Sequence, residues 1–185
     1  MTGLHIEKII EALLFSSEKP LSLEKIKEVL DDVDADSIKN AISKLSEYYN
    51  SQDRSFHITE VAGGYQLVTK PDYGIWISKL YKKPQDKLRG PSLETLAIIV
   101  YKQPITKPEI EAIRGVNVDS VLKTLTEKNF IKIKGKKESP GRPLLYGTTS
   151  DFLERFGLND LNSLPALKEF CESDLEYEKY KERGE

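Results

Sequence analysis

Apolar residues along this chain alternate between helical spacing and strand spacing, and the order of that alternation occurs twice. In the first half Ile6, Ile9, Ile10, Leu13 and Leu14 form one helical stripe. Pro20 interrupts it, and Ser22 is placed to cap a short helix carrying Leu23, Ile26, Val29 and Leu30. Asp34 or Asp36 then opens a third helix with Ile38, Ala41, Ile42, Leu45 and Tyr49 on one face. Two β-type runs follow, Phe56 to Val61 and Tyr65 to Thr69, and Gly63-Gly64 between them predicts a hairpin turn, because glycine accepts positive φ freely. After Pro71 a last helix is expected, with Tyr73, Trp76, Ile77, Leu80 and Tyr81 in register.

The second half repeats the plan. Leu93, Leu96, Ala97, Val100 and Tyr101 make the first stripe, and Pro104 breaks it. Thr106 with Glu109 three residues on is a capping box, and Gly115 suits a left-handed helix end. Asn117 to Lys128 is the third helix, with Val118, Val121, Leu122 and Leu125 inward, and Ile131–Lys134 with Leu144–Thr148 forms a hairpin with a long loop. Pro20-Leu21-Ser22 matches Pro104-Ile105-Thr106 at an offset of 84, whereas Ser37-Ile38 matches Ser120-Val121 at 83. Helix, helix-turn-helix, then hairpin is the winged-helix plan. The expected fold is therefore α+β and helix-dominated, two winged-helix domains in tandem: 1–83, a linker at 84–90, a second domain at 91–165, and an acidic tail at 166–185 whose composition suits disorder.

Charge sharpens this division. The formal net charge of −2 resolves into −5 over residues 1–78, +8 over 79–147 and −5 over 148–185. The longest apolar run, Leu96 to Tyr101, is far short of a membrane span, and Cys171 is the sole cysteine. Both features predict a soluble cytoplasmic chain without disulfides.

Reactive groups are sparse. Two histidines, no metal-ligand spacing, and a Gly135-Lys136-Lys137 that lacks the upstream glycine of a phosphate loop argue against catalysis, a metal or a cofactor. Asp32, Asp34 and Asp36 alternate as in a calcium loop, but Ser37 and Ser43 stand where glycine and glutamate belong, so helix capping accounts for them. Lys132, Lys134, Lys136, Lys137 and Arg142 make a basic second hairpin suited to DNA phosphates, with a solvated lysine-rich hairpin as the plain alternative. The acidic Asp119 and Glu127 on the preceding helix do not suit a major-groove reader. Tyr48, Tyr49, Tyr73, Trp76 and Tyr81 suit either a self-association surface on the first domain or its core, Trp76 especially the latter.

The block Leu93-Glu94-Thr95-Leu96-Ala97-Ile98-Ile99-Val100-Tyr101-Lys102-Gln103-Pro104-Ile105-Thr106 resembles the segregation and condensation protein B family, with Val100 where that family usually has a small residue. Gly141-Arg142-Pro143, Leu145-Tyr146-Gly147-Thr148-Thr149 and Gly64-Tyr65-Gln66-Leu67-Val68-Thr69-Lys70-Pro71 extend the resemblance over roughly residues 6–167. The resemblance implies a non-catalytic, nucleoid-associated subunit of a bacterial condensin-like complex. Such a subunit forms a homodimer through its first domain, here with Tyr48, Tyr49, Trp76 and Tyr81 as interface candidates. It binds the central region of the kleisin, segregation and condensation protein A, and through it the structural-maintenance-of-chromosomes (SMC) ATPase. A helix-in-groove kleisin contact would fall on Leu93, Tyr101, Ile105 and Tyr146, each of which also suits a core role. The rival reading is a winged-helix DNA-binding regulator that uses the basic hairpin.

Overall fold

The computed structural model describes residues 5–31, 33–81, 88 and 90–165. The first half runs α1 (Ile6–Ser16), β1 (Leu21–Ser22), α2 (Leu23–Leu30), α3 (Ala35–Ser51), β2 (Phe56–Val61), β3 (Gly64–Thr69), a 3₁₀ turn at Pro71–Tyr73 and α4 (Gly74–Tyr81). The second runs α5 (Gly90–Lys102), β4 (Ile105–Thr106), α6 (Lys107–Arg114), α7 (Asp119–Glu127), β5 (Ile131–Lys136), β6 (Leu144–Thr148), α8 (Ser150–Phe156) and a 3₁₀ turn at Leu161–Ser163. Each half is a winged-helix unit built on one antiparallel three-stranded sheet, ordered β1-β3-β2 and β4-β6-β5.

The two-residue strands are the part of the repeat that periodicity does not reveal. Pro-apolar-hydroxyl ends one helix, pairs for two residues with the last strand of its hairpin, and starts the next helix. Leu21 lies opposite Tyr65 and Ser22 opposite Gly64, while Ile105 lies opposite Tyr146 and Thr106 opposite Leu145. The hydroxyl residue then caps: the Lys25 amide donates to Ser22 Oγ at 3.2 Å. In the second half the capping box is complete, with the Thr106 amide donating to Glu109 Oε2 at 2.9 Å. Asp34 caps α3, so its carboxylate is a helix cap as expected.

Each half has its own core. Ile10, Ile26 and Ile38 are fully buried in the first, and Ile99, Ile110 and Leu125 in the second. Burying side chains of this size contributes about 1.5–3 kcal/mol each, relative to leaving them in water. The expected inward face of α3 is buried throughout, from Ile38 to Tyr49.

Two expectations need correction. The hairpin turn is Ala62-Gly63, at φ +52° and +74°, and not Gly63-Gly64. Gly64 belongs to β3 for a different reason: a Cβ there would lie 2.8 Å from the Leu21 carbonyl, so glycine is what lets β1 pair. Helix α5 is rotated from the expected stripe, burying Thr95, Leu96, Ile99 and Val100 while Leu93 and Ala97 face outward. Within a continuous apolar run the helical phase is not encoded by contrast with polar residues. Residues 84–87 and 89 of the expected linker, and the whole tail from 166 with Cys171, lie outside the described residues. Leu88 already packs on the second core, and Gly90 opens α5.

The halves meet at the tip of the first hairpin. The Ala62 amide donates to the Leu158 carbonyl at 2.9 Å and the Gly63 amide to Asn159 Oδ1 at 3.1 Å, just past the left-handed Gly157 that ends α8. Lys19 Nζ lies 3.4 Å from Asp151 Oδ1, beside a cleft of about 460 Å³ that Gln66 and Arg155 also line.

Candidate interaction surfaces

Helix α4 has the most unusual environment in the first half. Its eight residues include no buried one, and Ile75, Trp76, Leu80 and Tyr81 are 64%, 65%, 75% and 67% exposed. Trp76 is thus not the core residue that its size suggests. A helix this short is marginal in water without packing, because nucleation costs more than eight residues of propagation recover. The four aromatic interface candidates divide. Trp76, Tyr81 and Tyr48 are exposed, whereas Tyr49 is 2% exposed and packs edge-on against Phe56. The Tyr49 hydroxyl donates to Glu11 Oε1 at 2.8 Å; burial, then the Glu11 carboxylate, pushes the phenol well above its usual range. Tyr49 is a core residue, because its place on the inward stripe of α3 leaves it little surface to offer a partner.

On the same half, α1 and β3 border an apolar groove of about 570 Å³ lined by Ala12, Phe15, Phe56, Leu67 and Val68. Phe15 stands 81% exposed at its rim. Lys8 and Glu11 are the charged side chains along its wall.

The basic hairpin of the second half is less free than its composition implies. Lys132, Lys134, Lys136 and Arg142 are exposed, but Lys137 Nζ sits 2.5 Å from Glu109 Oε1 at the start of α6. The Lys137 ammonium, then the Thr106 hydroxyl and amide, hold the Glu109 carboxyl at about 2. Lys107 is bound by Asp119 at 2.5 Å, and Arg114 by Glu94. The Asp119 carboxylate raises Lys107, and the Lys107 ammonium lowers Asp119. On α7 Lys123 faces Glu127 at 3.8 Å. The outward face of α7 therefore presents internally matched charge where a groove-reading helix needs free donors.

The four residues expected at a kleisin contact also separate. Leu93 is 44% exposed at the start of α5, and Tyr101 is half-buried with its hydroxyl donating to the Pro165 carbonyl at 2.9 Å. Ile105 is 4% exposed and belongs to the core, since β4 directs it under β6. Tyr146 is half-buried between Ile105 and Ile133 in the sheet. Sequence reasoning gave neither Ile113 nor Val116 a surface role, but each is 55% exposed and lies within two residues of the Arg114 that is paired to Glu94 beside Leu93. It also missed Gln103: Oε1 accepts from the Thr148 amide at 2.8 Å and its hydroxyl at 3.0 Å, while Nε2 donates to the Val100 carbonyl at 3.1 Å. Gln103 pins β6 to the end of α5. Among the described residues no cluster of His, Cys, Asp or Glu could hold a metal ion, and no helix is long and apolar enough to cross a membrane.

Comparison with known proteins adds an independent finding. The family model of the segregation and condensation complex subunit ScpB matches residues 8–167. Segregation and condensation protein B of Syntrophotalea carbinolica is 42% identical over 178 residues, 96% of this chain and 90% of that protein. The protein of the same name from Symbiobacterium thermophilum is 46% identical over 166 residues, 89% of this chain and 74% of its own length. Among solved structures, a dimer of the ScpB N-terminal domain complexed with ScpA peptide is 32% identical, covering 40% of this chain and 91% of that one at a TM-score of 0.37.

Proposed function

The chain belongs to the segregation and condensation complex subunit ScpB family, and from that premise we propose that it is a non-catalytic homodimeric adaptor of a bacterial condensin-like SMC complex. It holds the central region of the kleisin, segregation and condensation protein A, and through it serves the SMC ATPase in chromosome condensation and partition. One observation supports the adaptor reading above the others: α4, with no buried residue and four large apolar side chains in water, is surface whose cost a partner relieves. The first half supplies the dimer contact and the second the kleisin contact. On the second half Leu93, with Ile113 and Val116 across the Glu94–Arg114 pair, is the apolar surface offered to a helical kleisin segment.

Co-purification of the full chain with the kleisin, followed by mass measurement, tests the reading. Two copies of this chain per kleisin are expected, and Leu93→Asp is expected to weaken the complex at least tenfold with thermal unfolding unchanged. Failure to co-purify would overturn the assignment. A DNA-regulator role has less support, because Lys137, Lys107 and Arg114 are already paired. The exposed Lys132, Lys134 and Lys136 leave room for a weak, salt-sensitive phosphate contact secondary to protein binding.

A further inference from the structure

We infer that the homodimer forms by reciprocal exchange of α4: the helix of one copy seats in the groove between α1 and β3 of the other. The inference rests on the dimer reading above and specifies its geometry. Arm and groove lie on the same half and are joined by the short Lys70–Tyr73 connection, since Val68 and Thr69 of β3 line the groove and α4 begins at Gly74. Each copy has one arm and one groove, so exchange about a two-fold axis satisfies both and leaves no open end to propagate into filaments.

Size and charge agree. Trp76, Tyr81, Ile75 and Leu80 expose on the order of 500 Å² of largely apolar surface per copy. Two arms with their matching groove walls reach the roughly 1,200–2,000 Å² of a stable interface. Phe15, 81% exposed at the rim, gives an incoming aromatic a ring to pack against. The groove wall carries one cation and one anion, Lys8 and Glu11, and the segment 72–81 likewise carries one of each, Asp72 and Lys79, at opposite ends. Arm and groove wall are thus each neutral overall, so seating one on the other leaves no excess of either sign. A second copy is therefore the occupant that matches the groove in number, polarity and area.

The test uses full-length chains in a Cys171→Ser background, one bearing Ala12→Cys on the groove wall and the other Leu80→Cys on the arm. Mixed and mildly oxidised, they are expected to give a disulfide-linked pair of the two different chains. Trp76→Ala is expected to raise the dimer dissociation constant at least tenfold by sedimentation. If the chain sediments as a dimer but only Leu80→Cys chains link to one another, the arms pack side by side; exchange is then wrong and the dimer stands. If the unmodified chain is a monomer at tens of micromolar, the dimer reading falls as well. A dimer indifferent to Trp76→Ala would also overturn the exchange.

Discussion

At the scale of single residues, two glycines and one amide side chain decide how the strands close. Gly64 admits β1 because nothing projects from its Cα toward the Leu21 carbonyl. Gly147, in β6, lies under Gln103 Oε1 and the aliphatic stem of Lys134, each 2.8 Å from where a Cβ would stand. The two positions differ in what must yield, backbone in one case and partly a flexible side chain in the other. Gly64→Ala is expected to destabilise the first half by about 1–3 kcal/mol, as other overpacked sites do. Urea unfolding checks it: the midpoint falls with an unchanged slope, whereas an unaltered midpoint would show that β1 moves aside without loss.

Among elements, the start of α6 and the end of β5 are coupled by one carboxylate. Glu109 closes the capping box and meets Lys137 beyond β5, which holds its carboxyl at about 2 against a usual 4.5. A carboxylate depressed in the folded state contributes stability that is complete above its unfolded value and is lost as pH falls through the folded one. This contribution therefore fades between about pH 4.5 and 2. Lys137→Met removes the leading cause, so carboxyl NMR should show the Glu109 midpoint moving up toward 4.5 while the Thr106 contacts keep it below that value. A midpoint still near 2 would make the cap alone responsible.

Legibility from sequence also differs by element. Helix α3 was fully readable, because polar residues separate Ile38, Ala41, Ile42, Leu45 and Tyr49 into one stripe. Helix α5 was readable as a helix but not in phase, since Leu96 to Tyr101 offers no polar contrast. Helix α4 was readable in register and misleading in role: periodic apolar residues encode an apolar face, and they do not say whether the chain or a partner covers it. The same ambiguity put Ile105 among surface candidates, when its pairing with Tyr146 across the sheet makes it core. Gln103 was invisible because two of its three hydrogen bonds are to Thr148 of β6, 45 residues away along the chain.

Across the whole molecule the repeat yields two similar units with unlike surfaces. The first half carries the exposed aromatic arm and the acidic excess; the second carries the basic hairpin, with part of its charge neutralised at Glu109, Asp119 and Glu94. Duplicated backbone with divergent exteriors suits the adaptor role proposed above.

The hairpin tip that reaches Leu158 and Asn159 makes the posture of the halves readable at two atoms. A turn at the end of a hairpin ordinarily surrenders its amide protons to solvent deuterium at once, yet those of Ala62 and Gly63 are held by the opposite half. Their lifetimes thus count how often the halves part, independently of the unfolding that frees the strand amides behind them. Asn159→Ala should shorten the Gly63 lifetime and leave that of Leu67, deep in the ladder, unaltered. Equal lifetimes in both proteins would mean that the tip is protected locally, and that the halves swing without it.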